Sequence, residues 1–315
     1  MARAWPAVQI VPRGRLAYGM QLPIVAQSPI FAQPWEADAT VDDIVRIAQA
    51  CDRAGFFYLA VSDHVCIPRE RAQAMSTVWY DPVATLGFLA AATQKVRLLS
   101  YVYVLPYRHP LATAKAFATL DALSGGRVIL GVGAGHLEAE FRTLGVDFAR
   151  RGRLLDESID VIVKAFLDEF PDHQGATWTF SGMGLAPRPQ QRPRPAVWVG
   201  GSTRGALRRA AERGDGWLPQ GVPPMGLAEA IAYLRRVRGD EPIEIGANSP
   251  WLYVGKPSFD LGPNARSGSG EQLAGVLREL GALGVSHVGV RFRTRSAGEL
   301  LEQIDAFARE VGPHL

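Results

Sequence analysis

Leu120-Asp121-Ala122-Leu123-Ser124-Gly125-Gly126-Arg127-Val128-Ile129-Leu130-Gly131-Val132-Gly133-Ala134-Gly135 holds one full repeat of the pattern that decides the fold. The tail of a helix runs into Ser124-Gly125-Gly126, a β-rich apolar run follows at once, and glycines then turn the chain again. A strand covered on both faces reads as a continuous apolar run of this kind, whereas a half-exposed strand alternates with polar residues. The same unit recurs on both sides of the stretch.

Upstream, strand one is expected at Leu16 to Leu22, followed by a helix with Val41, Ile44, Val45, Ala48 and Cys51 at helical spacing until Gly55 stops it. Strand two is expected at Phe57 to Val61, a helix over Pro82 to Thr93, strand three over Val96 to Leu105, and strand four over Arg127 to Val132. Downstream come Val197-Trp198-Val199 as strand five and Gly216-Trp217-Leu218 as strand six. Ile243 to Ile245 with Trp251 to Val254 gives the strand-seven region, and His287 to Phe292 strand eight. Leu300, Leu301, Ile304, Phe307, Ala308 and Val311 form the apolar stripe of a last helix packed on a barrel wall. Eight alternations with short connections favour an α/β fold closed as a parallel TIM (β/α)8 barrel over an open doubly wound sheet. Such barrels use about 250 residues, so residues 1–315 are expected to form a single domain with insertions after strands two, four and seven.

Three segments are too long or polar for simple turns: Cys66 to Asp81, Phe170 to Pro195, and Gly255 to Gly270. The second, the insertion 170–195, is expected to hold a hairpin pairing Thr177 to Ser181 with a run before Pro187. The first and third are expected on the catalytic face as lids.

With 47% apolar and 21% charged residues, the chain can bury a large core. Its 34 basic and 31 acidic residues leave a formal charge of +3 with no basic tail or stripe, so no nucleic-acid partner is expected. Pro6, Pro12, Arg13 and Arg15 break the N-terminus, and no run reaches the roughly 18 apolar residues of a membrane span. A cytoplasmic location without membrane contact is the expectation. Cys51 and Cys66 make neither a disulfide framework nor a CxxC motif.

In a barrel the residues just after the strands decide function. Strand two ends in Ser62-Asp63-His64, strand three in Tyr107-Arg108-His109, strand four in Gly131 to Gly135 and His136, strand five in Gly200-Gly201-Ser202-Thr203, and strand eight in Arg291 and Arg293. Gly131 to Gly135 lacks the glycine spacing of a dinucleotide fingerprint. Its glycines allow a tight turn, and they also let backbone approach a flat ring. The hydroxyls and free amides of Gly200 to Thr203 suit either a phosphate or ordinary helix capping. His64 is a candidate proton donor or acceptor held by a neighbour, or only a loop lining. His109, before Pro110, reads as structural. His64, His109 and His136 show no HxH or HExxH spacing, so no metal is expected.

Taken together, Asp63-His64, Leu105 to Pro110, Leu120 to Gly135, Leu144-Gly145-Val146-Asp147-Phe148 with Arg150 to Glu157, Val197 to Gly201 and Gly214-Asp215-Gly216-Trp217 resemble the bacterial luciferase-like family of flavin- and deazaflavin-dependent oxidoreductases. The resemblance runs from about Leu16 to the C-terminus. It implies a barrel that holds a ring cofactor over its strand ends and moves hydride to or from a small-molecule substrate. Ser62 to Glu70 looks most like members that use the deazaflavin coenzyme F420; the alternative is an FMN-dependent monooxygenase using reduced flavin and oxygen. A barrel that binds flavin without turnover is the reading from another class.

By the same resemblance, strand three carries a bulge with a non-prolyl cis peptide near Ser100-Tyr101-Val102, pressed on the ring's back face. His64 would lie near the reactive ring atom with Asp63 orienting it or supporting it at one remove, Ser62 nearby, Gly133 and Gly135 beside the ring, and Gly200, Gly201 and Thr203 at the phosphate. Some related dehydrogenases carry an acid where this chain has His136, so His136 is a second candidate for proton handling. A homodimer is implied.

Overall fold

The computed structural model describes residues 5–315. Eight parallel strands close on themselves: β1 (Ala17–Gln21), β2 (Tyr58–Val61), β3 (Arg97–Ser100, resuming at Tyr103–Val104), β4 (Val128–Gly133), β5 (Ala196–Gly200), β6 (Gly216–Leu218), β7 (Glu244–Val254) and β8 (His287–Phe292). Each pairs with the next, and β1 pairs with β8 through Ala17 and His287. Helices α1 (Val41–Arg53), α2 (Pro82–Ala92), α3 (Pro110–Leu123), α4 (Arg151–Leu167), α5 (Arg204–Arg213), α6 (Leu227–Arg238), α7 (Gly270–Ala282) and α8 (Ala297–Glu310) surround it. The fold is the expected TIM barrel.

Alternation along each strand separates two cores. Leu59, Val61, Leu98, Val128, Leu130, Val132, Val197 and Val199 face the helices, while Tyr58, Ala60, Leu99, Ile129, Ala196, Trp198 and Leu218 fill the barrel interior. The helix faces are narrower than the sequence pattern: Val41 is exposed and the α1 stripe begins at Ile44, while Leu301 and Ala308 of α8 are only half-buried.

Several expectations need correction. Strand three is not continuous, because the chain leaves the sheet at Tyr101 and Val102. Strand seven is one long strand with a register shift between Asn248 and Trp251, and it pairs with an additional strand, Ala265–Gly268. In the 170–195 insertion, Thr179–Phe180 pairs backward with His173–Gln174 and not with a run before Pro187. Glu157 of α4 fixes that hairpin by accepting from the Thr177 and Trp178 amides, which holds it to the outer wall.

The amino-end mouth of the barrel is closed by the chain's own N-terminal strap. Val8 and Val11 pack into the interior cluster. The Val8 amide donates to Asp215, which also accepts from both Nη atoms of the fully buried Arg194. Glu244, at the start of β7, accepts from the Ile10 and Val11 amides and from Trp198 Nε1.

Burial pushes the Glu244 carboxyl up to about 7, against those three donors, which pull it down. A folded pKa above the unfolded one means that folding favours the protonated form. This contribution is complete below the unfolded value of 4.5 and is lost as pH rises through about 7. Relative to Glu244→Gln, the wild-type unfolding free energy should therefore fall by about 3 kcal/mol between roughly pH 4 and pH 8. Urea unfolding of both proteins across that range measures it; a pH-independent difference would refute the assignment.

Candidate active site

The carboxyl ends of the strands surround a cavity of about 720 Å³. Its floor comes from the break in β3. The Tyr101–Val102 peptide bond is cis, as the resemblance implied. Ser100 ties the bulge to β4, donating to the Gly131 carbonyl and accepting from its amide. Ser62 Oγ donates to the Tyr101 carbonyl and accepts from Gln21 Nε2. Burial pushes the Tyr101 phenol up to about 12, so it stays protonated and donates to the Pro219 carbonyl at 2.7 Å.

The glycines acquire a specific reason here. A Cβ on Gly133 or on Gly200 would stand 2.5 Å from a Val102 methyl carbon, and one on Gly131 would meet the Ser100 carbonyl oxygen at 1.9 Å. Gly135 has φ +77°, with Val104 and Phe141 where a Cβ would go. Gly133, Gly135, Gly200 and Gly201 do line the cavity, but the space above Gly133 and Gly200 belongs to Val102. These two glycines also seat the side chain that forms the floor.

His64, just after β2, hydrogen-bonds through Nδ1 to Glu140 Oε2 at 2.9 Å. Glu140 sits in the short helix Glu138–Thr143 with no exposed surface. It also accepts from Tyr107 Oη at 2.7 Å and from the Val65 and Cys66 amides at 2.5 and 3.1 Å. Burial pushes the Glu140 carboxyl up, but the hydrogen bonds from His64, Tyr107 and Cys66 outweigh it and hold the group below its usual value. The ionised carboxylate can only accept, so His64 donates through Nδ1, and Nε2 is the nitrogen left for other partners. Trp79, from the 66–81 segment, packs edge-on to the His64 ring at 4.5 Å, and His136 meets it at 5.4 Å. Burial and the nearby His64 lower the His136 pKa, with Glu140 opposing them, so folding favours its neutral form.

Asp63 does not orient His64, which corrects that expectation. Its buried carboxylate pairs with Arg108 through both oxygens, at 2.6 and 2.9 Å, and accepts from the Val104 amide. Arg108 in turn stacks on Tyr103, 4.0 Å from the ring centroid. Asp63 therefore locks the end of β2 to the far side of the β3 bulge. The group that orients His64 is Glu140, which sequence reasoning missed because no motif marks it; its only signal is a position four residues after His136.

Thr203 caps α5, its hydroxyl accepting from the Ala206 amide at 3.3 Å. Ser202 is tied to the loop after β6, donating to Gln220 O and accepting from Gln220 N. His109 caps α3 through Leu111 N and lies beside Trp178, away from the other two histidines. Among the described residues no group of three His, Cys, Asp or Glu could hold a metal ion. Met75 and Trp79 bring the 66–81 segment over the cavity, but no residue of 255–270 lines it, which corrects the second expected lid. The loops after β1 (Ile30, Phe31) and β6 (Val222, Pro224) supply the other rim.

Gly133→Ala should cost about 3 kcal/mol by driving Val102 from its seat, and adding Val102→Ala should restore most of it. A denaturant double-mutant cycle tests this, and additive losses would sever the proposed contact. Glu140→Gln should lower stability by about 2 kcal/mol, leaving Val65 and Cys66 sharing a poorer acceptor. Hydrogen exchange should quicken in residues 65–81; unchanged exchange there would count against Glu140 as their anchor.

Comparison with known proteins agrees with this architecture. Residues 20–257 match the family model described as luciferase-like monooxygenase. An uncharacterised Mycobacterium bovis protein is 32% identical over 222 residues, spanning 66% of this chain and 74% of that one. The FMNH(2)-dependent dimethylsulfone monooxygenase of Pseudomonas putida is 28% identical over 209 residues, 65% of this chain and 56% of its own length. Among solved structures, the monooxygenase RslO1 from Streptomyces bottropensis superposes with a TM-score of 0.77 at 20% identity, covering 95% of this chain and 99% of that one. The coenzyme F420 dependent tetrahydromethanopterin reductase from Methanopyrus kandleri gives 0.72 at 18% identity, covering 96% and 99%. The relatives and structural neighbours of the chain thus include both flavin-dependent and F420-dependent enzymes. No helix among the described residues is long and apolar enough to cross a membrane. By the match over residues 20–257, the chain belongs to the luciferase-like monooxygenase family of oxidoreductases.

Proposed function

We propose that this chain is an oxidoreductase that transfers hydride between the deazaflavin coenzyme F420 and a small organic substrate, with His64 handling the accompanying proton. The observation that carries the reading is the His64–Glu140 pair in the wall of a cavity of about 720 Å³ floored by Val102. A cavity of that size suits a tricyclic ring with room for a small substrate. When bound, the deazaflavin would supply the hydride-carrying ring carbon.

The remaining work falls to the chain's own residues. Val102 and Tyr101 would support one face of the ring, and Gly200, Gly201 and Thr203 at the start of α5 would meet the phosphate. Glu140 keeps the Nδ1 proton of His64 in place, so Nε2 takes up or returns the proton that accompanies hydride transfer. His136, in ring contact with His64 and with its pKa lowered, would be the next acceptor in line. Met75 and Trp79 would exclude water. Asp63 acts at one remove, by fixing the bulge through Arg108 and Val104.

A second reading is an FMN-dependent monooxygenase, favoured by the 28% identity to an FMNH(2)-dependent relative. Titration with F420 and, separately, with FMN, followed by ring fluorescence, discriminates the two. Tight F420 binding supports the first reading and FMN binding alone the second; binding of both with no reduction by any donor leaves a non-catalytic flavin-binding barrel. His64→Ala should keep cofactor affinity within about threefold and lower turnover by about 10² to 10⁴. A variant that folds, binds and turns over normally would remove His64 from the chemistry.

A further inference from the structure

Arg291 stands apart from the other charged side chains of the cavity wall. Asp63 is neutralised by Arg108 and His64 is held by Glu140, but among the described residues Arg291 has no carboxylate within ion-pair distance. Its Nε is buried without a hydrogen-bond partner, and Nη2 reaches only the Ser249 carbonyl at 3.3 Å. Burial lowers its pKa, the Tyr101 phenol counters this, and the neighbouring cation Arg293 adds to the fall. Both guanidinium groups sit over Trp251, at 5.4 and 4.0 Å from its centroid, which holds Arg291 from one side. A half-buried guanidinium with an unpartnered buried Nε and no anion beside it is costly to keep, and a planar fork of donors matches a carboxylate or sulfonate.

Position separates this cation from the phosphate end of the cavity. Arg291 lies on β8, between β7 and β1, whereas Gly200 to Thr203 follow β5 on the other side of the ring of strands. Asn248 and Gln21, from those two flanking strands, line the same wall. The rim above is apolar, with Ile30 and Val222 exposed to 79% and 84% at its edge.

We infer that the substrate is a small organic acid with an apolar body, whose carboxylate or sulfonate is held by Arg291. The inference rests on the oxidoreductase reading of the same cavity and names its substrate class. It makes Arg291 a specificity-determining residue. The anionic group would sit at β8, the apolar body beneath the Ile30 and Val222 rim, and the reacting carbon toward His64.

The test uses the full chain and four probes of one chain length: hexanoate, hexanesulfonate, hexan-1-ol and hexylammonium. Binding is followed by tryptophan fluorescence, which Trp79 in the wall should report, and by thermal shift. The two anions should bind about 30-fold more tightly than the alcohol and the amine. Arg291→Met should abolish that preference and Arg291→Lys should keep part of it, while F420 or FMN affinity moves less than about threefold in both. No anion preference in the wild type, or an equal preference in Arg291→Met, overturns the proposal. Loss of cofactor binding in Arg291→Met with the anion preference intact would assign Arg291 to the ring instead. The hydride-transfer reading fails separately, if the wild type binds neither cofactor while the anion preference persists.

Discussion

The seating of Val102 between Gly133 and Gly200 is the contact on which the site depends. A closed barrel of eight strands has an interior only wide enough for side chains to fill it, and lower down that filling comes from Tyr58, Leu99, Ile129 and Trp198. At the carboxyl end the inward positions of β4 and β5 are glycine, so β3 can leave its sheet register and put Val102 over them. The same excursion turns the Tyr101 carbonyl to Ser62 and its phenol to Pro219, and brings Val104 under Asp63. A methyl group at either glycine would occupy the place of the floor, and the surrounding hydrogen bonds would lose their common geometry.

On this floor the two acidic residues divide the work by what they touch. Asp63 spends both oxygens on Arg108 and the Val104 amide, joining β2 to the resumed β3. Glu140 collects four donors, His64 and Val65 just after β2, Tyr107 in the turn after β3 and Cys66 at the start of the 66–81 segment, so one carboxylate fixes His64 and the root of the covering loop together. At the opposite mouth, Asp215 and Glu244 hold the N-terminal strap as a plug. The two ends of the barrel follow the usual division, with stability at the amino end and variable polar chemistry at the carboxyl end.

Much of this was legible in the sequence. Six of the eight strands lie within a residue or two of their apolar runs, because burial on both faces leaves a continuous signal that needs no partner to be read. Ser62, His64, His136, Gly200 and Thr203 were singled out because the fold assigns chemistry to strand ends, and all of them line the cavity. Strand three was read as unbroken, since Tyr101 and Val102 are as apolar as a strand requires. The hairpin of 170–195 was given the wrong partner, because Glu157, which fixes it, lies on another element.

The sequence by itself determined the barrel, the face that carries the site and most of the strand-end residues on it, through periodicity and the position of glycines. Only the tertiary structure decided which acid serves His64. Asp63 is its neighbour in the chain, yet consecutive residues around a strand end point to different sides, and Asp63 turned to Arg108. Glu140, 76 residues away, met the imidazole because β4 and the short helix after it close over β2. Pairings of that separation are set by how strands meet around a closed barrel, and no local pattern of residues encodes them.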